Sequence, residues 1–414
     1  SGIVNRPRHW IARASARTLI FTFPRKLFVM PRLGPVLVIF ALVSSSAFAA
    51  NSIPLLPPPN LQASSFLLID ADTNKVLAEH NARERSAPAS LTKIMTGYVV
   101  EEEIRRGRLG VEERVQISVN AWRTGGSKMF IREGTSVAVS ELLKGVIIQS
   151  GNDASVALAE HIAGNEDQFA DLMNQQAQFL NMNDTQFRNA TGLPSEQHYS
   201  TAWDLALLTT ALIKNHPEQY ALYSQKSYTY NNIEQPNRNR LLWRDRSVDG
   251  VKTGFTNAAG YCLVASAERN GMRLISVVLG AENDEARMRE SQKLLSYGFR
   301  NYETKTLYKP GTTLQEQPIF YGEVEALPLG VAEDVIVTFP KGYYQDIDAS
   351  ISVPAYFEAP ISKGDVLGTI ELKLGDDVIY AGDVLAEIDV EESGWLSQLG
   401  DYVFLMFDQP AADE

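Results

Sequence analysis

The sequence predicts an α+β domain, an antiparallel sheet flanked by helices, followed by a small all-β domain. Three observations carry this reading. Segments with helical spacing of apolar residues flank hairpin patterns, and no regular strand–helix–strand repeat is present, which argues against a doubly wound sheet. The runs Gly260–Ala267 and Met272–Leu279 meet at Asn270-Gly271, a pair that favours tight antiparallel turns. Beyond Tyr302 the texture changes to short β-rich runs separated by turn residues. The expected organisation is an N-terminal extension and signal peptide (1–50), the α+β domain (51–302), the β-rich domain (303–390) and an amphipathic tail (391–414).

Taken in order, residues 1–29 are basic, with Arg6, Arg8, Arg13, Arg17, Arg25 and Lys26, and lie ahead of Met30, a candidate start. An apolar run from Leu33 to Val43 leads to Ala47-Phe48-Ala49. A basic flank, a short apolar core and an Ala-x-Ala site make an export signal, with cleavage expected after Ala49 or Ala50. The run is short for a spanning helix. After a proline-rich lead-in, Ser65–Asp70 and Lys75–Glu79 flank Asp72-Thr73-Asn74 as a hairpin. Ala87-Pro88-Ala89 approaches a helix, because proline fits at a helix start and not inside one. Leu91, Ile94, Met95 and Val99 continue it with helical spacing, and Gly107 is its stop.

Glu141–Gln149 reads as an apolar helix that breaks at Ser150-Gly151-Asn152, before further helices over Ala154–Ala163 and Asp204–Lys214. Val248 to Val251 is extended, the Asn270-Gly271 hairpin follows, and Glu290–Tyr297 is a helix. Val335–Phe339, Ala349–Tyr356, Val366–Leu374 and Val378–Ala381 are the strands expected of the β-rich domain. In the tail, Trp395, Leu396, Leu399, Tyr402, Val403, Met406 and Phe407 line one face of a helix. Such a segment after a complete domain is expected to anchor at a membrane surface, with a docking helix as the alternative. Its polar positions, Gln398, Asp401 and Asp408, offer no cation to anionic lipid.

Composition narrows the function. Of 414 residues, 44% are hydrophobic and 21% charged, which is globular and leaves ample material for a core. A net charge of −12 argues against a nucleic-acid partner. A single cysteine, Cys262, excludes an internal disulfide and any Cys-rich metal site, and the five histidines show no metal-ligand spacing. Neither a GxSxG elbow nor a Walker-type loop occurs, so no metal or cofactor is expected.

Three short stretches carry chemistry. Ser90 and Lys93 share one helix face, since residues three apart are neighbours, and the helix start brings free N–H groups and the positive dipole end to the serine. An amine beside a hydroxyl can activate it as a nucleophile. Taken singly, the pair reads more readily as a cap and a surface lysine than as a catalytic pair, since isolated motif matches are common. Ser150-Gly151-Asn152 lies at a break between helices, where side chains can project into a cleft, whereas the similar Ser118-Val119-Asn120 does not. Lys252-Thr253-Gly254 follows an extended run and occurs once. In this order, the three stretches are far more specific together than any one of them.

With these motifs the sequence closely resembles the low-molecular-mass penicillin-binding proteins, the serine D-alanyl-D-alanine carboxypeptidases of peptidase family S11. Gly126 to Phe130, Asn189 to Pro194 and Asp249 to Thr256 add to the likeness, which spans nearly all of 30–408. The resemblance implies a penicillin-recognising transpeptidase fold with its site between an antiparallel sheet and an all-helical region. It implies that Ser90 attacks the carbonyl between two D-alanines of a peptidoglycan pentapeptide and is also acylated by β-lactams. Lys93 would be the base, its amine kept neutral by desolvation and by the nearby Lys252 cation. Ser150 would relay the proton to the leaving D-alanine, and Asn152 would hold the substrate amide. The backbone N–H groups of Ser90 and Phe255 would form the oxyanion hole. Lys252, Thr253, Arg238 and Arg287 would bind the terminal carboxylate. An exported enzyme on the periplasmic face of the inner membrane is the expected setting.

Departures from the family pattern are Ser155 where some relatives have cysteine, Phe255 where some have histidine, and Ser195-Glu196-Gln197 in place of Asp-Pro-Gly-like residues. A β-lactamase would need a carboxylate-activated water, usually from a Glu-x-x-Leu-Asn loop, which is absent. A D,D-endopeptidase is chemically close and stays open. A non-catalytic wall-binding scaffold is disfavoured, since every catalytic side chain is present.

Overall fold

The first element is the expected hairpin, β1 (Ser65–Asp70) and β2 (Val76–His80), in a computed structural model that describes residues 56–394 and Tyr402. Its turn is tied by the Asp70 carboxylate, which accepts from the N–H groups of Asp72 (2.8 Å) and Thr73 (3.1 Å). A single 3-10 turn, Ala89–Leu91, runs into α1 (Thr92–Arg105). Helix α1 is buried on every side from Thr92 to Glu103. The apolar spacing read from the sequence therefore marks only part of a helix that is enclosed up to its last two residues, and Lys93 goes inside with it.

The helical region continues through α2 (Val139–Lys144), a π-helical turn (Gly145–Gln149), α3 (Asn152–Ala163), α4 (Glu166–Phe179) and α5 (Ala202–Asn215). Asn152 is already the first residue of α3, so the break is confined to Ser150 and Gly151. Helix α4 is not among the expected elements, although it carries a plain start signal. Asn165 caps it by accepting from Gln168 N–H at 2.9 Å, and Glu166 and Asp167 occupy the first turn.

The chain then returns to the sheet as β3 (Val248–Thr256), β4 (Gly260–Arg269) and β5 (Met272–Ala281), and α6 (Asp284–Asn301) follows. The strand order is β2-β1-β5-β4-β3, with every neighbour antiparallel. Both faces are covered. Leu67, Ile275 and Val277 pack with α1 and α5 in one core, while Leu68, Leu263 and Leu274 pack with α6 in another. Two-sided burial explains why β1 reads Phe-Leu-Leu-Ile without a polar alternate.

Helix α6 passes directly into β6 (Tyr302–Tyr308). Next come β7 (Gln315–Phe320), β8 (Ala326–Gly330), β9 (Val335–Pro340), β10 (Ile347–Ser352), β11 (Phe357–Glu358), β12 (Val366–Leu374) and β13 (Asp377–Ala386). Strands β6 and β9 pair, and the others form a sheet in the order β10-β12-β13-β8-β7-β11, around a separate core that includes Leu329, Val337, Phe339 and Leu372. The β-rich part meets the first hairpin at its turn, where Thr73 and Thr338 hydroxyls lie 2.7 Å apart and Lys75 Nζ donates to the Thr338 carbonyl at 3.1 Å. The export signal and nearly all of the tail helix lie outside the described residues. Among the described residues no helix is long and apolar enough to cross a membrane.

Candidate active site

The Ser90 turn is shaped by close backbone approaches from two other segments. Gly192 has φ +80°, and a Cβ there would stand 1.8 Å from the Ala89 carbonyl oxygen, so only glycine fits. On the other side β3 runs past at Gly254, where a Cβ would meet Pro88 O at 3.2 Å and Leu91 Cγ at 3.3 Å. The half-buried Ser90 is thus held between the Asn189–Leu193 loop and the sheet edge.

Lys93 is 1% exposed and makes three hydrogen bonds through Nζ. It donates to Asn152 Oδ1 at 2.7 Å, to the Thr191 carbonyl at 2.5 Å, and lies 3.2 Å from Ser90 Oγ. The first two partners can only accept, so they take the two hydrogens of a neutral amine. The lone pair then faces Ser90, the one partner able to donate. Burial pushes this lysine from the usual range down to about 7, while the carboxylates of Asp153 and Glu166 pull it back up. Lys252 is itself held well below an ordinary lysine, first by burial and then by repulsion from Lys93, Arg287 and Arg238, and the repulsion between the two lysines is mutual.

Ser150 occupies a left-handed turn (φ 65°) between the π-helical turn and α3. Its hydroxyl is buried and has no hydrogen-bond partner, a state that a native site tolerates where a ligand or water completes it. Asn152 behaves differently from the substrate contact expected of it. Its carbonyl end accepts from Lys93, and its amide donates to the Gly125 carbonyl at 2.7 Å, so in this structure it orients the lysine. Asp153, fully buried, gathers the 127–131 loop by accepting from the N–H groups of Met129 (2.9 Å), Phe130 (3.0 Å) and Ile131 (3.3 Å). The roles of Asp153, Glu166 and Thr191 were not read from the sequence, because each acts through a fold contact and none sits at a motif position.

Strand β3 carries the third motif. Lys252 and Thr253 are buried, Lys252 Nζ donates to the Thr253 carbonyl at 2.9 Å, and Thr253 and Phe255 pair with Leu263 and Tyr261 of β4. The Phe255 ring is exposed and packs on Tyr261, with centroids 4.3 Å apart. Of Arg287 and Arg289, two residues apart on α6, Arg287 is the one at the site. It donates to the Gly254 carbonyl at 2.9 Å and lies over the Tyr261 ring, whereas Arg289 pairs with Glu290 elsewhere. Arg287 and the exposed Arg238 both line a cleft of about 840 Å³ that also reaches Phe255. Ser90, Lys93 and Asn152 do not line that cleft, whose wall also includes Gln149 and Tyr261.

A helical region and a five-stranded antiparallel sheet with a Ser–Lys pair between them define the class, the penicillin-recognising serine fold. The chain belongs to the D-alanyl-D-alanine carboxypeptidase family, peptidase S11, whose family model matches residues 53–283, and residues 302–392 match the C-terminal domain of penicillin-binding protein 5. It is 44% identical over 376 residues to D-alanyl-D-alanine carboxypeptidase DacC of Escherichia coli, which covers 89% of this chain and 94% of that relative. Penicillin-binding protein 5 from Haemophilus influenzae superposes with a TM-score of 0.77 at 40% identity, over 81% of this chain and 100% of that one. Penicillin-binding protein D2 from Listeria monocytogenes, in its ampicillin-bound form, gives 0.55 at 33% identity over 59% of this chain and 100% of that one.

Proposed function

We propose that this chain is a serine-type D-Ala-D-Ala carboxypeptidase that trims the terminal D-alanine from peptidoglycan pentapeptides through an acyl-enzyme, and that penicillin acylates the same serine. The observation that carries the reading is the buried Lys93 amine, 3.2 Å from Ser90 Oγ and held by two obligate acceptors, which leaves its neutral form free to take the serine's proton. Ser90 Oγ attacks the carbonyl of the penultimate D-alanine while its proton passes to Lys93. The oxyanion is met by the N–H groups of Ser90 and Phe255. The unpaired Ser150 hydroxyl relays the proton, giving its own to the departing D-alanine nitrogen as the C–N bond breaks and taking back the one held by Lys93, and water then hydrolyses the Ser90 ester. Arg238 and Arg287 supply positive charge for the terminal carboxylate and Lys252 and Thr253 supply hydrogen-bond donors, so an acidic protein binds an anionic peptide end with local cations.

The test is release of D-alanine from a pentapeptide together with labelling by fluorescent penicillin. Ser90→Ala is expected to abolish both; D-alanine release by that variant would overturn the nucleophile assignment. We place the enzyme, by its export signal and tail, at the outer face of the inner membrane. A chain ending at Val390 is then expected in the soluble fraction, and its retention with membranes would refute the tail as the anchor.

A further inference from the structure

Ser90 is bracketed by a segment that lies outside the three motifs. Ahead of it, Ser86 and Ser200 form a two-way backbone bridge, each N–H reaching the other's carbonyl at 2.9 Å. Just after it, the Thr92 hydroxyl lies 2.8 Å from His198 Nε2. The same segment is tied to the stretch that leads into the Asn189–Leu193 loop. Gln186 and Tyr199 exchange backbone hydrogen bonds at 2.9 and 3.0 Å, and the Arg188 N–H donates to His198 Nδ1 at 3.1 Å. That loop supplies the Thr191 carbonyl to Lys93 and closes on Ala89 through Gly192. Residues 198–200 therefore splint together the two segments that hold the Ser90–Lys93 pair.

His198 is the side-chain link of this splint, and its partners fix its tautomer. A backbone N–H can only donate, so Nδ1 carries no proton, and the neutral ring gives its Nε2 hydrogen to Thr92 Oγ1. Both residues are buried, so water does not replace either bond when it is lost. Burial, and then the Arg188 guanidinium, push the imidazole down to about 4, which keeps it neutral near pH 7. The turn that delivers His198 is one of the departures from the family pattern. Gln197 adopts φ +58°, a left-handed conformation uncommon outside glycine, and its side-chain carbonyl accepts from the Arg188 guanidinium. We infer that His198 is a positioning residue for acyl transfer, which holds the Ser90–Lys93 turn, through Thr92, against the loop that orients Lys93. The inference rests on Ser90 being the nucleophile.

The test measures acylation of the full chain by a fluorescent penicillin, separating the rate at saturation from the half-saturating concentration, with melting followed for each variant. His198→Leu keeps apolar bulk and removes both hydrogen bonds. Its saturating rate is expected to fall about tenfold, with half-saturation within about twofold. His198→Gln, whose amide can donate to Thr92 and accept from Arg188, is expected to recover most of the rate. Thr92→Val is expected to lose about as much as His198→Leu, and the double variant less than about threefold more, since the two act through one bond. A normal rate in His198→Leu, a glutamine variant no faster than the leucine one, or losses that multiply in the double variant would each overturn the positioning role. Should His198→Leu unfold the chain, Thr92→Ser decides the matter, because serine keeps the hydroxyl; a loss equal to that of Thr92→Val overturns the role. Failure of the unmodified chain to acylate overturns the nucleophile reading and this inference with it, whereas a normal unmodified chain with unaffected variants overturns this inference alone.

Discussion

If Lys93 is the base, the acylation rate must follow its titration. A lysine that falls from 10.5 to about 7 has its charged form destabilised by about 5 kcal/mol, taking 1.36 kcal/mol per unit. At pH 7 its neutral fraction rises from about one in 3,000 to about one half, so burial supplies on the order of a thousandfold more competent base. The sign is fixed, because only the neutral amine can take the Ser90 proton. Acylation should therefore fall about tenfold per unit below pH 7 and level off above it. Glu166 pulls Lys93 upward, so Glu166→Gln should move the limb to lower pH while keeping an acceptor for the Ala190 N–H. The assay is the second-order rate constant for a fluorescent penicillin between pH 5 and 9. A limb still rising at pH 9, or one that Glu166→Gln moves to higher pH, would refute the role given to burial.

Glu101 on α1 is buried without a partner for Oε1 and is pushed up from 4.5 to about 8 by burial. A carboxyl raised in this way contributes fully below pH 4.5 and loses that stability as pH climbs to about 8. Glu101→Gln should thus gain up to about 3 kcal/mol at pH 7 and almost nothing at pH 4.5 in urea denaturation, and a gain independent of pH would contradict it. Asp153→Asn replaces a charged acceptor of three backbone N–H groups, and a loss of about 2–4 kcal/mol with faster proteolysis in the 127–131 loop is expected; unchanged melting would count against the loop being held there. Gly192→Ala drives a Cβ into the Ala89 carbonyl, so penicillin acylation should drop by about a hundredfold as Ser90 is displaced; a variant that acylates normally would show that this contact does not position the nucleophile.

The sequence by itself determined the local units. Hairpin one, the α1 start, the break at Ser150 and the Asn270-Gly271 turn stand where cap, turn and spacing signals put them, because those signals act over a few residues. Helix α4 was open to the same reasoning through its Asn165 cap and went unread. The three motifs also named Ser90, Lys93, Ser150, Asn152 and Lys252, while Arg287 came from the family resemblance and its placement beside Gly254 from the fold. What only the tertiary structure decided is their chemical state. Nothing local says that β1 lies between β2 and β5, that α1 is enclosed on all sides, or that Thr191 and Asn152 both accept from Lys93. The cleft beside β3 is equally remote in origin, assembled from Gln149, the 236–244 segment, β3, Tyr261 of β4 and α6. Spacing along the chain encodes which side chains share a face. Desolvation and hydrogen-bond partners, which turn a surface lysine into a base, come from distant segments, as with Asn152 and Thr191, 59 and 98 residues away, and exist only after packing.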